Sequence, residues 1–134
     1  SVESVVSQLA FSVPAVKAIE FGDGMALSSM RGSAANDPMR YEDGRVVCTS
    51  NHNGGVTGGI TNGMPVILRA AVKPTPSIAL EQQTVDLTTG ENTPLSVAGR
   101  HDPCIVPRAV VVIESILAIA LCELMMDDAA NKAL

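Results

Sequence analysis

The longest apolar segment of the chain runs from Ile105 to Met126 and constrains the fold more than any other stretch. From about Pro107, a residue suited to the first turn of a helix, the segment is expected to be one long helix. Apolar side chains occupy nearly all sides of that helix, so it must be covered on nearly all sides. Glu114 interrupts the run, and a membrane span needs about 20 uninterrupted apolar residues. We therefore expect a helix sandwiched between sheets or subunits, and no membrane contact.

Upstream of this helix, strand patterns alternate with turn signals. Apolar residues at helical spacing predict a first helix over residues 1–12, and Pro14 ends it. A short helix is predicted over 25–30, and strands over 15–21, 45–50, 64–72, 78–87 and 95–98. The polar segment 33–44 is expected to be a mobile loop, and residues 88–94 a second loop. These patterns predict the α+β class, with residues 1–134 forming a single domain.

The composition argues against several kinds of partner. Only 2% of the 134 residues are aromatic, which leaves few side chains to stack on bases. The net charge of −5 argues against nucleic acid and anionic membranes, although a local cationic pocket still allows a small anionic ligand. The three cysteines have no Cys-x-x-Cys spacing, so reduced thiols are expected and a disulfide framework is not. No metal site is expected, and His52 and His101 are interpreted as structural.

Residues 51–63 contain five glycines. Neither GxxxxGK[ST] nor GxGxxG occurs in the segment, so a Walker-type nucleotide loop is not expected. Two interpretations remain. The segment is either a flexible surface loop, or backbone that approaches a flat ligand or another segment so closely that any Cβ would collide.

Two polar clusters could meet an anion. In Lys73-Pro74-Thr75-Pro76-Ser77, a lysine, two hydroxyls and exposed amides suit a phosphate or a polyol, with an ordinary proline turn as the alternative. In Gly99–Cys104, Arg100 suits the recognition of a carboxylate or phosphate. Asp102 is either a structural ion-pair partner or a proton acceptor.

Four motifs, taken together, resemble one known family. They are Pro14–Lys17 with Glu20–Gly24, then Ser50–Ile60, then Lys73–Ser77, then Gly99–Cys104 with Pro107–Ala109 and Glu114. In this order and spacing, the series closely resembles the C-terminal part of chorismate synthase, over essentially the whole chain. Ala18 stands where that family usually has glycine, and Val111 where a proline is common.

The resemblance implies a carbon–oxygen lyase of the shikimate pathway, which leads to the aromatic amino acids. The implied reaction converts 5-enolpyruvylshikimate-3-phosphate to chorismate by a 1,4-elimination of phosphate. It requires reduced FMN (FMNH2), although there is no net redox change, and the family is also associated with NADP and with the cytoplasm. The implied fold is a β-α-β sandwich, in which antiparallel sheets pack on long apolar helices, assembled as a homotetramer.

Carried over position by position, the resemblance also implies site residues. Flavin contacts fall on Pro14, Ala15, Gly58, Lys73, Pro74, Thr75, Pro76, Ser77 and Arg100. Arg100 and Asp102 are the implied catalytic pair: Arg100 lies where the family binds the anionic substrate, and Asp102 matches an aspartate proposed to act on the flavin N5 proton. A carboxyl group could accept that proton if its surroundings tuned its pKa.

The family is much longer than this chain, and its two acid/base histidines lie in the N-terminal part. We therefore expect a C-terminal fragment that has no chorismate synthase activity alone, and His52 and His101 do not replace the absent pair. Two alternatives stay open. One is a non-catalytic folding or self-association unit, whose long helix pairs with a copy of itself; the other is an unrelated phosphate-binding module.

Overall fold

The computed structural model describes residues 1–132. The α-helices are α1 (Val2–Phe11), α2 (Gly32–Ala35) and α3 (Val106–Lys132), and Gly24–Ser29 forms a 3-10 helix. The strands are β1 (Val16–Phe21), β2 (Met39–Glu42), β3 (Arg45–Cys48), β4 (Val56–Thr57), β5 (Ile60–Thr61), β6 (Leu68–Val72), β7 (Gln82–Asp86) and β8 (Glu91–Leu95).

Each strand pairs with one antiparallel neighbour, in the orders β1-β6, β2-β3, β4-β5 and β7-β8. Three of these pairs are local hairpins, whereas β1-β6 joins two segments that are distant in sequence. The mixture of helices and antiparallel sheets confirms the predicted α+β class. The predicted first helix, first strand and long last helix are also confirmed.

Two segments expected to be loops contain strands. Residues 39–42 of the segment 33–44 form β2, which pairs with β3 across a turn at Asp43 (φ 48°) and Gly44 (φ 79°). Residues 91–94 belong to β8, so the loop expected over 88–94 and the strand expected over 95–98 are both wrong. Each of these polar segments forms a strand because it pairs with the strand across its turn, and this pairing stabilises a conformation that its own sequence does not favour. The mobility of 33–44 stays a prediction.

The small core is aliphatic and lies where α1 meets α3 and β1. Val6, Ala10 and Ala120 are fully buried, and Val16 and Val56 nearly so. Val6 and Ala10 share one face of α1 because they are four residues apart. This packing sets α1 beside β1 and therefore fixes the turn between them, at which two of the predicted site residues lie.

Helix α3 is far less covered than its sequence predicts. Ala120 is its only buried residue within the described range, and Val111, Ile119 and Met125 are 64%, 60% and 70% exposed. The expectation of a sandwiched helix is therefore not met within this chain. By length and composition α3 could cross a membrane, despite Glu114, but a core helix of a larger protein meets the same criterion.

Candidate functional site

Two of the segments predicted to contact flavin lie side by side. The Lys73 N–H donates a hydrogen bond to the Ala15 carbonyl oxygen at 2.7 Å. This bond continues the β1-β6 ladder, in which Val16 pairs with Val72. Ala15 has a left-handed φ of 71°, which turns the chain from α1 into β1. Pro14 and Ala15 are thus held next to Lys73 at one end of the sheet.

The turn that follows β6 carries an unpartnered polar atom. The Thr75 hydroxyl oxygen is buried and makes no hydrogen bond to any residue that the structure describes. Leaving such a group unpaired costs about 1–3 kcal/mol. Lys73 and Pro74, which precede it, are exposed. The exposed Lys73 remains available to a ligand, whereas the Thr75 hydroxyl is covered in this conformation; the choice between a phosphate or polyol site and an ordinary proline turn stays a prediction.

Gly58 presents bare backbone to open space. It lies in the turn between β4 and β5 with a φ of 60°, and no atom lies within 4 Å of the position that a Cβ would occupy. The next residue is fixed, because the Val2 N–H donates to the Gly59 carbonyl oxygen at 2.9 Å. The hairpin is therefore anchored to the start of α1, and its tip leaves room for a flat ligand.

Other glycines of the same segment serve the protein itself. A Cβ on Gly54 would lie 2.6 Å from the Gly22 Cα, and one on Gly55 would lie 2.6 Å from the Pro65 carbonyl oxygen. Both glycines are buried and have positive φ. They allow three backbone segments to meet closely, as one of the two interpretations predicted. The alternative of a flexible surface loop is wrong for these two residues.

Asp37, which sequence reasoning missed, holds the beginning of this segment. Its carboxylate accepts hydrogen bonds from the Ser50 hydroxyl (2.7 Å), the His52 N–H (2.8 Å), and the Asn53 N–H (2.9 Å) and side-chain amide (2.8 Å). Desolvation raises the pKa of Asp37, but these hydrogen bonds outweigh it and lower the pKa from 3.8 to about 2. The Asp37-Pro38 turn signal was visible in the sequence, but its partners were not.

A second carboxylate, that of Asp23, contacts the same segment at His52. The His52 Nδ1 lies 2.5 Å from the Asp23 Oδ2, and the Asp23 N–H donates to the His52 carbonyl oxygen at 2.8 Å. The Asn51 side chain accepts from the Gly55 N–H at 2.7 Å and donates to the Pro65 carbonyl oxygen at 2.9 Å. His52 therefore has a structural partner, as its interpretation as a structural residue requires.

Arg100 and Asp102 do not pair with each other. Asp102 pairs instead with Arg108 in the first turn of α3, with Arg108 Nη1 3.0 Å from Asp102 Oδ2. Arg100 is exposed and makes no ion pair within residues 1–132. The His101 Nε2 lies 2.9 Å from the Val97 carbonyl oxygen. Arg100 is thus available to an anion, whereas Asp102 has an exposed partner that holds it weakly.

Two cavities among the described residues lie away from the predicted flavin contacts. One, of about 710 Å³, lies against the β1-β6 sheet and is lined by Glu20, Met25 and Arg69 among others. A smaller one of about 250 Å³ separates β6 from the start of α3, near Val110 and Glu114. Neither cavity is lined by a residue predicted to contact flavin. Gly58, Lys73 and Arg100 are exposed, whereas Ala15 and Thr75 are partly buried.

The architecture first places the chain among α+β proteins built from antiparallel sheets and long apolar helices. A solved structure described as a crystal structure of chorismate synthase superposes with a TM-score of 0.73 at 30% identity, covering 95% of this chain and 31% of that chain. A family model for chorismate synthase matches residues 1–126. The chain therefore belongs to the chorismate synthase family.

Curated relatives agree with this assignment. The chain is 52% identical over 126 residues to the chorismate synthase of Korarchaeum cryptofilum, covering 94% of this chain and 35% of that protein. It is 53% identical over 121 residues to that of Methanosarcina acetivorans, covering 90% of this chain and 33% of that protein. The chain thus spans about a third of the length of the curated relatives that it matches.

Proposed function

We propose that this chain supplies one side of the flavin and substrate pocket of a chorismate synthase. The reaction is the 1,4-elimination of phosphate from 5-enolpyruvylshikimate-3-phosphate, which yields chorismate and requires reduced FMN. The observation that carries the proposal is the hydrogen bond from the Lys73 N–H to the Ala15 carbonyl oxygen, at 2.7 Å. It joins two of the segments that are predicted to contact flavin, Pro14–Ala15 and Lys73–Ser77, next to the unpartnered Thr75 hydroxyl.

The residues present fit reduced FMN. Lys73, Thr75 and Ser77 would hold its phosphate and polyol, because they combine a cation with hydroxyl donors. Gly58 would face its flat ring, since a side chain there would fill the open space. When bound, the cofactor would donate an electron transiently to assist the loss of phosphate and would recover it as the C6 hydrogen leaves, so that no net redox change results.

Arg100 and Asp102 have separate roles in this proposal. Arg100 binds the anionic substrate and orients its leaving phosphate, since its guanidinium has no competing ion pair within the described residues. Asp102 accepts a proton at its carboxylate, since its exposed ion pair with Arg108 at 3.0 Å holds that carboxylate only weakly. The pair thus divides anion binding and proton handling between two exposed side chains.

The exposed surface of α3 supports an assembly larger than this chain. Val111 and Ile119 are 64% and 60% exposed, although their helix is apolar on nearly all sides. We propose that the remainder of a chorismate synthase, including neighbouring subunits of a cytoplasmic homotetramer, covers them. In this proposal NADPH, the reduced form of NADP, regenerates the reduced flavin and is itself oxidised to NADP. The same exposed surface favours the second candidate, a non-catalytic unit that self-associates through α3.

The proposal is tested by transplanting residues 1–126 into the matching third of the Korarchaeum cryptofilum protein. Phosphate release and chorismate formation are measured under anaerobic conditions with reduced FMN. We expect an active chimera, at least a hundredfold loss of about 3 kcal/mol in Asp102→Asn, and little change in the control Asp86→Asn. This chain alone should form no chorismate. A soluble, folded chimera without activity, or one unaffected by Asp102→Asn, would contradict the proposal.

A further inference from the structure

Asp37 lies at the base of the β2-β3 hairpin, where the hairpin meets the glycine segment. The Pro38 carbonyl oxygen accepts a hydrogen bond from the Thr49 N–H at 2.8 Å and another from the Thr49 hydroxyl at 3.2 Å. These bonds extend the hairpin by one residue pair beyond Met39 and Cys48. They bring Asp37 opposite Ser50, at the first residue of the segment that leads to Gly58.

Both carboxylate oxygens of Asp37 are used. Oδ1 accepts from the Ser50 hydroxyl at 2.7 Å and from the His52 N–H at 2.8 Å. Oδ2 accepts from the Asn53 N–H at 2.9 Å and from the Asn53 side-chain amide at 2.8 Å. Four donors on Ser50, His52 and Asn53 bind this one carboxylate. Because both of its oxygens accept hydrogen bonds, the carboxylate fixes the direction as well as the position of residues 50–53.

Two backbone hydrogen bonds hold Gly54 and Gly55, which lie between the residues bound to Asp37 and the β4-β5 hairpin. The Ile67 N–H donates to the Gly54 carbonyl oxygen at 3.1 Å, and the Asn62 N–H donates to the Gly55 carbonyl oxygen at 3.0 Å. Gly58 lies at the tip of the same hairpin, six residues after His52. The direction in which residues 50–53 leave Asp37 therefore determines where the hairpin tip lies.

We propose that Asp37 is a positioning residue for the β4-β5 hairpin, and through it for the backbone that faces the flavin. The first part stands on the hydrogen bonds alone, and the second part rests on the proposed function. Asp37 does not touch the cofactor. It acts through Asn53, Gly54 and Gly55, and its removal should loosen a hairpin with which it makes no direct hydrogen bond.

The test compares wild type with Asp37→Asn by amide hydrogen exchange measured by NMR. The amides of His52 and Asn53 bond to Asp37 directly and lose protection in any case, so the decisive amides are Asn62 and Ile67. We expect these two to exchange about tenfold faster in the variant. The matched control is Asp43→Asn, which removes the same charge from the exposed tip of the same hairpin and should leave both amides unchanged.

Two further variants separate the loss of these hydrogen bonds from a general loss of the fold. Asn53→Ala removes one of the four bonds, that from the side-chain amide to Oδ2, and should speed exchange at Asn62 by about threefold. Combining Asp37→Asn with Asn53→Asp exchanges a donor for an acceptor between the same two positions and should restore part of the protection. Unchanged exchange at Asn62 and Ile67 in a folded Asp37→Asn or Asn53→Ala protein overturns the proposal.

Titration with reduced FMN separates this proposal from the proposed function. If wild type binds reduced FMN, Asp37→Asn should bind it about tenfold more weakly while Asp43→Asn binds as wild type does. A loosened hairpin with unchanged flavin affinity overturns the link between Asp37 and the cofactor. If wild type itself binds no reduced FMN, the proposed function fails for this chain, and the exchange at Asn62 and Ile67 alone decides the positioning role.

Discussion

The acid sensitivity of the fold should trace to Asp37. Hydrogen bonds lower the pKa of this carboxyl from 3.8 to about 2, against the opposing effect of desolvation. A group whose pKa is lower in the folded state stabilises the fold above its unfolded pKa. The stabilisation is therefore fully present near neutral pH, declines as the pH falls below about 4, and is lost at about pH 2.

The magnitude follows from the size of the shift. At 1.36 kcal/mol per pKa unit, a shift from 3.8 to about 2 corresponds to roughly 2.4 kcal/mol. Asp37 is only partly buried, so solvent screening reduces this figure to about 1–2 kcal/mol. For a small domain that stability is a sizeable fraction of the total.

Urea unfolding of wild type and Asp37→Asn at about pH 6 and at about pH 2.5 measures this contribution. At about pH 6 we expect the wild type to be about 1–2 kcal/mol more stable than Asp37→Asn. At about pH 2.5 this difference in stability should shrink by more than half. Asp43→Asn, altered at the hairpin tip, should track the wild type at both. A difference between wild type and Asp37→Asn that is independent of pH would show that the ionised Asp37 carboxylate does not supply this stability.

Three other predictions concern separate parts of the molecule. Gly54→Ala should lower the free energy of unfolding by about 3–5 kcal/mol in urea, because the added Cβ would collide with Gly22. The control Gly63→Ala, at a positive φ in open space, should lower it by about 1–2 kcal/mol. Equal losses would contradict the close packing of Gly54. Arg100→Gln should weaken the binding of reduced FMN by about tenfold in a fluorescence titration, and Arg45→Gln should not; equal effects would argue for bulk charge alone. Val111→Lys, on the exposed face of α3, should lower self-association in sedimentation velocity, and an unchanged distribution would place any interface elsewhere.

Local patterns predicted the elements that are stabilised locally. Helix α1, strand β1 and helix α3 follow from the spacing of their own apolar residues. Strands β2 and β8 do not, since Met39–Glu42 is mostly polar and Glu91–Leu95 contains Pro94. Both strands exist because a partner lies across a tight turn. The Asp86 carboxylate, which accepts from the Thr88 N–H at 2.7 Å, was the available signal for the second turn.

The candidate site was predictable where one motif carries its own chemistry. Lys73–Ser77 could be singled out from a cation, two hydroxyls and two prolines, and the family resemblance agreed. Asp37 could not be, because its partners lie 13 to 16 residues further along the chain. The pairing of Asp102 with Arg108 was missed for a related reason, since it depends on where α3 begins.

We propose that four separated segments, two of which the Lys73–Ala15 hydrogen bond joins, form one flavin surface. The most direct measurement is an NMR titration of the ¹⁵N-labelled chain with reduced FMN under anaerobic conditions. Saturable shifts are expected at Ala15, Gly58, Lys73, Thr75, Ser77 and residues 100–102, with their loss in Arg100→Gln; the prolines of these segments carry no N–H. Absence of saturable shifts, or shifts that cluster around the Glu20 and Arg69 cavity instead, would contradict this proposal.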